Sequence, residues 1–293
     1  MRNGIVGAAS AMFLVGTLAG VSGLVDGYPI YGGQAVRYLA ASVVLLLVTR
    51  ALGLRFVRLT PREALCLGGL TMLGLVMFNV CVVESTRAAG PALVGTVLGT
   101  VPLALALAGG RPAPRLLAGA CVVVAGATLA TGLGSGNLPG LLWALGALVG
   151  EVSFSMLAIP LLPKLGAIRL SAYSTALAVP LLAVAGLADD GVAGMFRPPT
   201  WAEVLGFAYL AVVVTVVAFF LWYSSLPRLG PGRAGLFAGL IPVGAIVTGV
   251  VLGVATPSAY DLLGAGFVIA GILVGLTAER PRTVSEVPAP EGA

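Results

Sequence analysis

No histidine occurs anywhere in the 293 residues, and charged side chains make up only 9% of them. The first absence removes the commonest metal ligand and the usual proton shuttle near neutral pH. Any proton chemistry therefore falls to carboxylates, and no cofactor or metal is expected. The second absence excludes a water-soluble fold, which carries about 25% charged residues and needs them to cover its surface. Disorder is excluded from the other side, since 59% of the residues are hydrophobic and the mean hydropathy is +1.08. There are three cysteines, Cys66, Cys81 and Cys121, and each falls inside an apolar run where a thiol behaves as a small hydrophobe. The net charge of +5 comes from single and paired basic residues between apolar runs, with no basic helix to bind nucleic acid. A Gly-x-Ser-x-Gly elbow and a pair of intramembrane aspartates are also missing, so an enzyme is not expected. What remains is an all-α integral membrane protein whose solvent is the lipid bilayer.

A helix crossing the hydrocarbon layer takes about 20 apolar residues. Ten such runs can be read: 4–25, 30–48, 64–83, 88–108, 116–132, 140–162, 170–187, 204–222, 234–255 and 262–278. They are apolar all round, whereas a transmembrane strand alternates over about 10 positions. The cut between the fifth and sixth rests on the breaker cluster Gly132, Gly134, Gly136, Asn137, Pro139 and Gly140. The first run is too long for a signal sequence and reads as a retained span. Lysine and arginine are held on the cytoplasmic side. One set of connections holds 13 of the 16 basic residues, from Arg2 through Arg50, Arg58, Arg111, Lys164 and Arg228 to Arg282. Both termini of this multi-pass cell-membrane protein are thus expected in the cytoplasm, with the tail 279–293 disordered there.

Gly90, Pro91, Gly95, Gly99 and Pro102 recur as Gly230, Pro231, Gly235, Gly239 and Pro242, each displaced by 140. The glycines of the fifth span, Gly119 and Gly126, are echoed by Gly264 and Gly271 in the tenth. The chain reads as two five-helix units. Because five is odd, the copies enter the membrane from opposite sides, an inverted repeat of the kind that transporters rock about a central site.

With Arg37 in the second span, these Gly-Pro turns, mid-span prolines and glycine-rich fifth and tenth spans, the chain resembles the EamA-like branch of the drug/metabolite transporter superfamily. The resemblance implies a basket of helices around a central cavity and passage of a metabolite, amino acid or drug. It implies repeats at 1–137 and 138–278. One departure is Val254, where members often carry a glutamate after the glycine ending the ninth span.

Candidate site residues follow from polarity inside the apolar layer. Arg37 stands about 10 Å deep at 1.5 Å per residue. It either binds a substrate carboxylate or is neutralised by Glu84 or helix-end carbonyls. Glu151 lies near the midplane of the sixth span, within Gly146-Ala147-Leu148-Val149-Gly150-Glu151-Val152. That stretch is similar to the first helix of small multidrug-resistance proteins, which implies a carboxylate exchanging protons with a cationic substrate. The alternatives are a protonated glutamate bonded to a neighbouring helix or one paired with Arg37. Asn79, Thr100 and Tyr209 are further polar candidates for the pathway, and Pro102 and Pro242 are helix breaks expected to line the cavity. Spans five and ten lack polar side chains of this kind and are expected at the periphery, where a substitution such as one at Val268 does little. Their glycine faces serve either packing or a homodimer contact. The function expected is alternating-access transport of a small organic solute, an exporter with proton coupling at Glu151. An uncoupled facilitator is the alternative.

Overall fold

The structure is a computed structural model describing residues 1–25, 27–132, 137–189, 191–253 and 256–277, which are helical with no strand among them. The tail from 279, Asp26, Asp190, Val254, Gly134 and Gly136 lie outside the described residues. The main helices are α1 (Arg2–Ser22), α2 (Ile30–Ala51), α3 (Pro61–Ala89), α4 (Pro91–Leu98 continued by Val101–Ala108) and α5 (Pro114–Thr131). They continue as α6 (Leu138–Met156), α7 (Leu162–Asp189), α8 (Trp201–Leu229), α9 (Pro231–Val251) and α10 (Ala259–Leu276). A short helix, Gly191–Met195, lies between α7 and α8. Among the described residues, eight helices are long and apolar enough to cross a membrane, and α1 and the broken α4 are not among the eight.

The helices run further than hydropathy alone implies. Both α3 and α8 have 29 residues. They continue past Val83 and Trp222 to Gly90 and Gly230, whose φ values of 78° and 76° stop a helix in a conformation that other residues rarely adopt. Pro91 and Pro231 then open the next helices, where a missing N–H leaves no bond unmade. Within α3, Met72–Met77 is π-helical, and so is Leu210–Val217 within α8. The expected kink at Pro102 takes a different form. The helix stops at Gly99 and Thr100, and Pro102 sits in the first turn of the next piece, where proline is tolerated. At the corresponding stretch of α9, Leu236–Gly239 tightens to a 3₁₀ turn before Pro242.

Packing joins α2 with α7, α4 with α9 and α5 with α10. It also joins α1 with α8 and α3 with α6, α1 with α9 and α4 with α6, and α2 with α8 and α3 with α7. Every pair maps onto itself or another when each helix is exchanged for the one five places away. The α5–α10 contact is backbone against backbone. A Cβ on Gly119 would stand 2.6 Å from the Gly275 Cα, and one on Gly126 would stand 2.7 Å from the Gly264 carbonyl. Of the two readings of these glycines, this is packing within the chain. Val268 is fully buried in that contact, beside Gly126 and Gly239. The outward face of α10 carries Leu262, Leu263, Ile269 and Leu273, all exposed and apolar, as a surface toward lipid requires.

Candidate substrate cavity

Five helices leave a cavity of about 80 Å³ between them. Its wall is Ala11, Met12, Val15 and Leu18 of α1, Arg37 and Tyr38 of α2, Gly74, Phe78 and Asn79 of α3, Glu151 and Phe154 of α6, and Val214, Ala218, Phe219 and Trp222 of α8. The space has room for several ordered waters. The α8 residues recur at three- and four-residue steps and so share one helix face. That face brings Phe219 to 4.8 Å from Phe154, centroid to centroid, and Tyr223 to 5.0 Å from it.

Arg37 is 4% exposed, and its geometry is fixed from α8. Its Nε donates to Thr215 Oγ1 at 2.9 Å, and Thr215 Oγ1 donates to the Leu210 carbonyl at 2.9 Å, five residues back. The wider π turn thus supplies the acceptor that orients the hydroxyl. One terminal nitrogen donates to Gln34 Oε1 at 3.3 Å, and the guanidinium carbon stands 5.4 Å from the Tyr38 ring centroid. Among the described residues no carboxylate pairs with Arg37. Glu84, one of its expected neutralisers, pairs with Arg87 at 2.7 Å.

Asn79 stands across the cavity and is held by two donations, to the Leu75 carbonyl at 2.6 Å and to the Tyr38 hydroxyl at 3.0 Å. Glu151 follows Gly150, where a Cβ would stand 2.7 Å from the Leu73 carbonyl, so α6 rests against the π segment of α3. Glu151 makes no ion pair or hydrogen bond among the described residues. The Tyr223 hydroxyl is fully buried with no hydrogen-bond partner among the described residues. One wall therefore carries an oriented guanidinium and an uncommitted carboxylate that do not neutralise each other. Ionisable groups at membrane depth are costly and mark ligand or ion pathways.

Of the residues chosen from sequence, Arg37, Asn79 and Glu151 meet at this cavity, and the others stand elsewhere. The Thr100 hydroxyl donates to the Val97 carbonyl at 2.6 Å, at the α4 break. The Tyr209 hydroxyl bonds Thr17 Oγ1 at 2.8 Å, joining α8 to α1. Pro102 is buried and Pro242 half-buried, and neither is on the wall. The aromatic wall residues, Tyr38, Phe78, Phe154, Phe219 and Trp222, were not chosen. The signal for the α8 pair was the shared face of Thr215, Phe219 and Trp222, one polar group within an aromatic row.

A second hollow, of about 360 Å³, opens at the Gly27 end of α2. Gly27, Tyr28, Tyr31, Glu84, Arg87 and Asp189 are on its wall.

Comparison with known proteins gives three likenesses. Residues 138–277 match the EamA-like transporter family. The chain is 27% identical over 286 residues to the uncharacterized transporter YetK of Bacillus subtilis (strain 168), covering 92% of this chain and 85% of that protein. A solved crystal structure, 21% identical, is similar in fold with a TM-score of 0.79 over 95% of this chain and 99% of that one.

Proposed function

Because residues 138–277 match the EamA-like transporter family, we propose that the chain carries a small organic solute across the cell membrane by alternating access, exporting it in exchange for protons at Glu151. The observation that carries this reading is the cavity that holds Glu151 and Arg37 together without an ion pair between them. A carboxylate held by nothing else is available to a cationic group or to a proton, but not to both at once. A solute with one positive group suits Glu151, and a carboxylate on the same solute suits the terminal nitrogens of Arg37. The aromatic wall between them accepts an apolar body.

In this cycle the ionised Glu151 takes the solute from the cytoplasm. The two halves then rock, an external proton displaces the solute, and the protonated carboxyl permits the return. The rocking halves are ten spans in two inverted repeats, 1–137 and 138–278, with both termini cytoplasmic. Support comes from the helix pairs named above, each of which maps onto itself or another when each helix is exchanged for the one five places on. Further support comes from paired details displaced by 140, namely the Gly90 and Gly230 stops and the Thr60–Glu63 and Thr200–Glu203 helix caps.

The test is solute flux in proteoliposomes under an imposed pH gradient, with Glu151→Gln beside the parent chain. The substitution keeps shape and hydrogen bonding but cannot titrate. Gradient-driven flux is expected to be lost while the protein folds normally, and Glu151→Asp keeps part of the activity with a shifted pH optimum. Unchanged flux and unchanged pH dependence in Glu151→Gln would replace the exchanger with an uncoupled facilitator.

A further inference from the structure

We propose that Glu63 and Glu203 are matched gate latches at opposite ends of the transport path, and that releasing either one opens the central cavity to its own side; this rests on the alternating-access reading above. The two glutamates occupy the third position of α3 and α8, displaced by 140. Each closes a capping box, with the Thr60 backbone N–H donating to Glu63 at 2.7 Å and the Thr200 N–H donating to Glu203 at 2.7 Å. A capping box needs the carboxylate only for its own helix end. Here each carboxylate also holds a basic side chain: Glu63 takes Lys164 from the start of α7, and Glu203 takes Arg197, six residues before it, which in turn reaches Gly27 between α1 and α2.

At the Arg55 end of α2, Lys164 Nζ donates to Glu63 at 2.6 Å. Beside it, Arg169 Nε donates to the Arg55 carbonyl at 3.0 Å and the Val57 N–H donates to the Tyr173 hydroxyl at 2.9 Å. The start of α7 is thereby tied to the connection between α2 and α3. At the Gly27 end, Arg197 pairs with both oxygens of Glu203 and donates to the Gly27 carbonyl at 2.9 Å. Its guanidinium lies 4.9 Å from the Tyr28 ring centroid, and the Tyr28 hydroxyl donates to the Arg197 carbonyl at 2.9 Å. The start of α8 is thereby tied to the connection between α1 and α2. The 22 residues of α2 separate the two ties by about 33 Å at 1.5 Å per residue. Exchanging each helix for the one five places away turns one pair of joined connections into the other.

Both latches act on helices that form the cavity wall at mid-length, through Phe78 and Asn79 on α3 and Phe219 and Trp222 on α8. The outer hollow has Gly27 and Tyr28 on its wall, the same two residues that Arg197 holds, so loosening this tie moves the wall of an existing entrance. The charged ends stay partly open to solvent, with 25% and 36% of the Glu63 and Lys164 side chains and 39% of Arg197 exposed, whereas Glu203 is only 7% exposed. Partly exposed pairs are weak. A weak tie suits a gate that must open in every cycle, since a strong one would trap the closed form.

The experiment uses the full chain in membrane vesicles, with Cys66, Cys81 and Cys121 replaced by alanine and a single cysteine placed on the wall by Val15→Cys. A charged thiol reagent that does not cross the bilayer is added to one face at a time, and the labelling rate is read. Glu203→Gln retains the cap, because glutamine serves in a capping box, and loses the charge that holds Arg197. It is expected to raise labelling from the Asp189 face by about two- to fivefold, the ratio an exposed ion pair can shift, and to lower it from the Arg58 face. Glu63→Gln is expected to do the reverse. Arg197→Gln and Lys164→Gln repeat these shifts from the other partner of each pair. Single variants that leave both rates unchanged, or move them in the same direction, would overturn the latches while leaving alternating access standing. A cysteine labelled from neither face in any variant would overturn alternating access and the latches with it.

Discussion

Thr215 shows how much one hydroxyl does in this cavity. It accepts from Arg37 Nε and donates to the Leu210 carbonyl, and both it and the guanidinium are buried. Thr215→Val keeps the shape but removes the acceptor, leaving a buried charged donor unmatched. That is expected to lower stability by about 1–3 kcal/mol, read as a fall in the thermal unfolding temperature of the purified protein. Thr215→Ser restores the hydroxyl and is expected to unfold close to the parent. An equal loss in both variants would mean that the methyl group, not the hydroxyl, matters. At this scale the sequence was legible where polarity is costly. Arg37, Asn79 and Glu151 stand out of apolar runs because each must be solvated by something in the interior, and all three are on the cavity wall. Thr100 and Tyr209 carried the same polar signal and stand elsewhere. A hydroxyl satisfies itself locally, as Thr100 does on the Val97 carbonyl, or bonds a neighbouring helix, as Tyr209 does on Thr17. The aromatic wall was hidden because phenylalanine and tryptophan are equally at home against lipid, against another helix or beside a cavity.

At the scale of the helix, the apolar runs were legible and their internal geometry was not. Residues Leu210–Val217 contain only apolar side chains apart from Thr215, and nothing in that composition distinguishes a π turn from an α turn. The break at Gly99 and Thr100 was half legible, since Pro102 announced a defect but not that the helix stops and restarts. The α5–α10 contact shows the opposite case, where small residues at regular spacing do encode close approach. Gly126→Leu places a branched side chain against the Gly264 carbonyl and the Val268 backbone nitrogen, where even a Cβ would stand at 2.7 Å. Overpacking of this kind costs about 1–3 kcal/mol, occasionally more. The expected outcome is a markedly lower unfolding temperature for Gly126→Leu, against little change for Ile269→Ala on the exposed face of α10. Equal tolerance of both would mean that α5 and α10 separate in the membrane.

At the scale of the whole molecule, the direction of the chain rests on charge rather than on packing, because the helix contacts are the same whichever end faces the cytoplasm. Arg50, Arg55, Arg58 and Arg62 cluster where α2 gives way to α3, while the alternate connections hold Arg87 and Arg197 together with the acids Asp26, Glu84, Asp189, Asp190, Glu203 and Asp261. Retention of basic residues on the cytoplasmic side is expected to place the Arg58 end inside and the Asp189 end outside. Phe56 and Phe196 are both exposed, one at each end. In a chain whose own cysteines are replaced, Phe196→Cys is expected to react with an impermeant thiol reagent in intact cells, and Phe56→Cys only after permeabilisation. The reverse pattern would invert the molecule and overturn the placement of the Arg58 end in the cytoplasm. Labelling of both in intact cells would break the odd number of crossings between them. The inverted repeat would fall with it, since five-helix halves of opposite direction require the five helices α3 to α7 to carry those two connections to opposite faces.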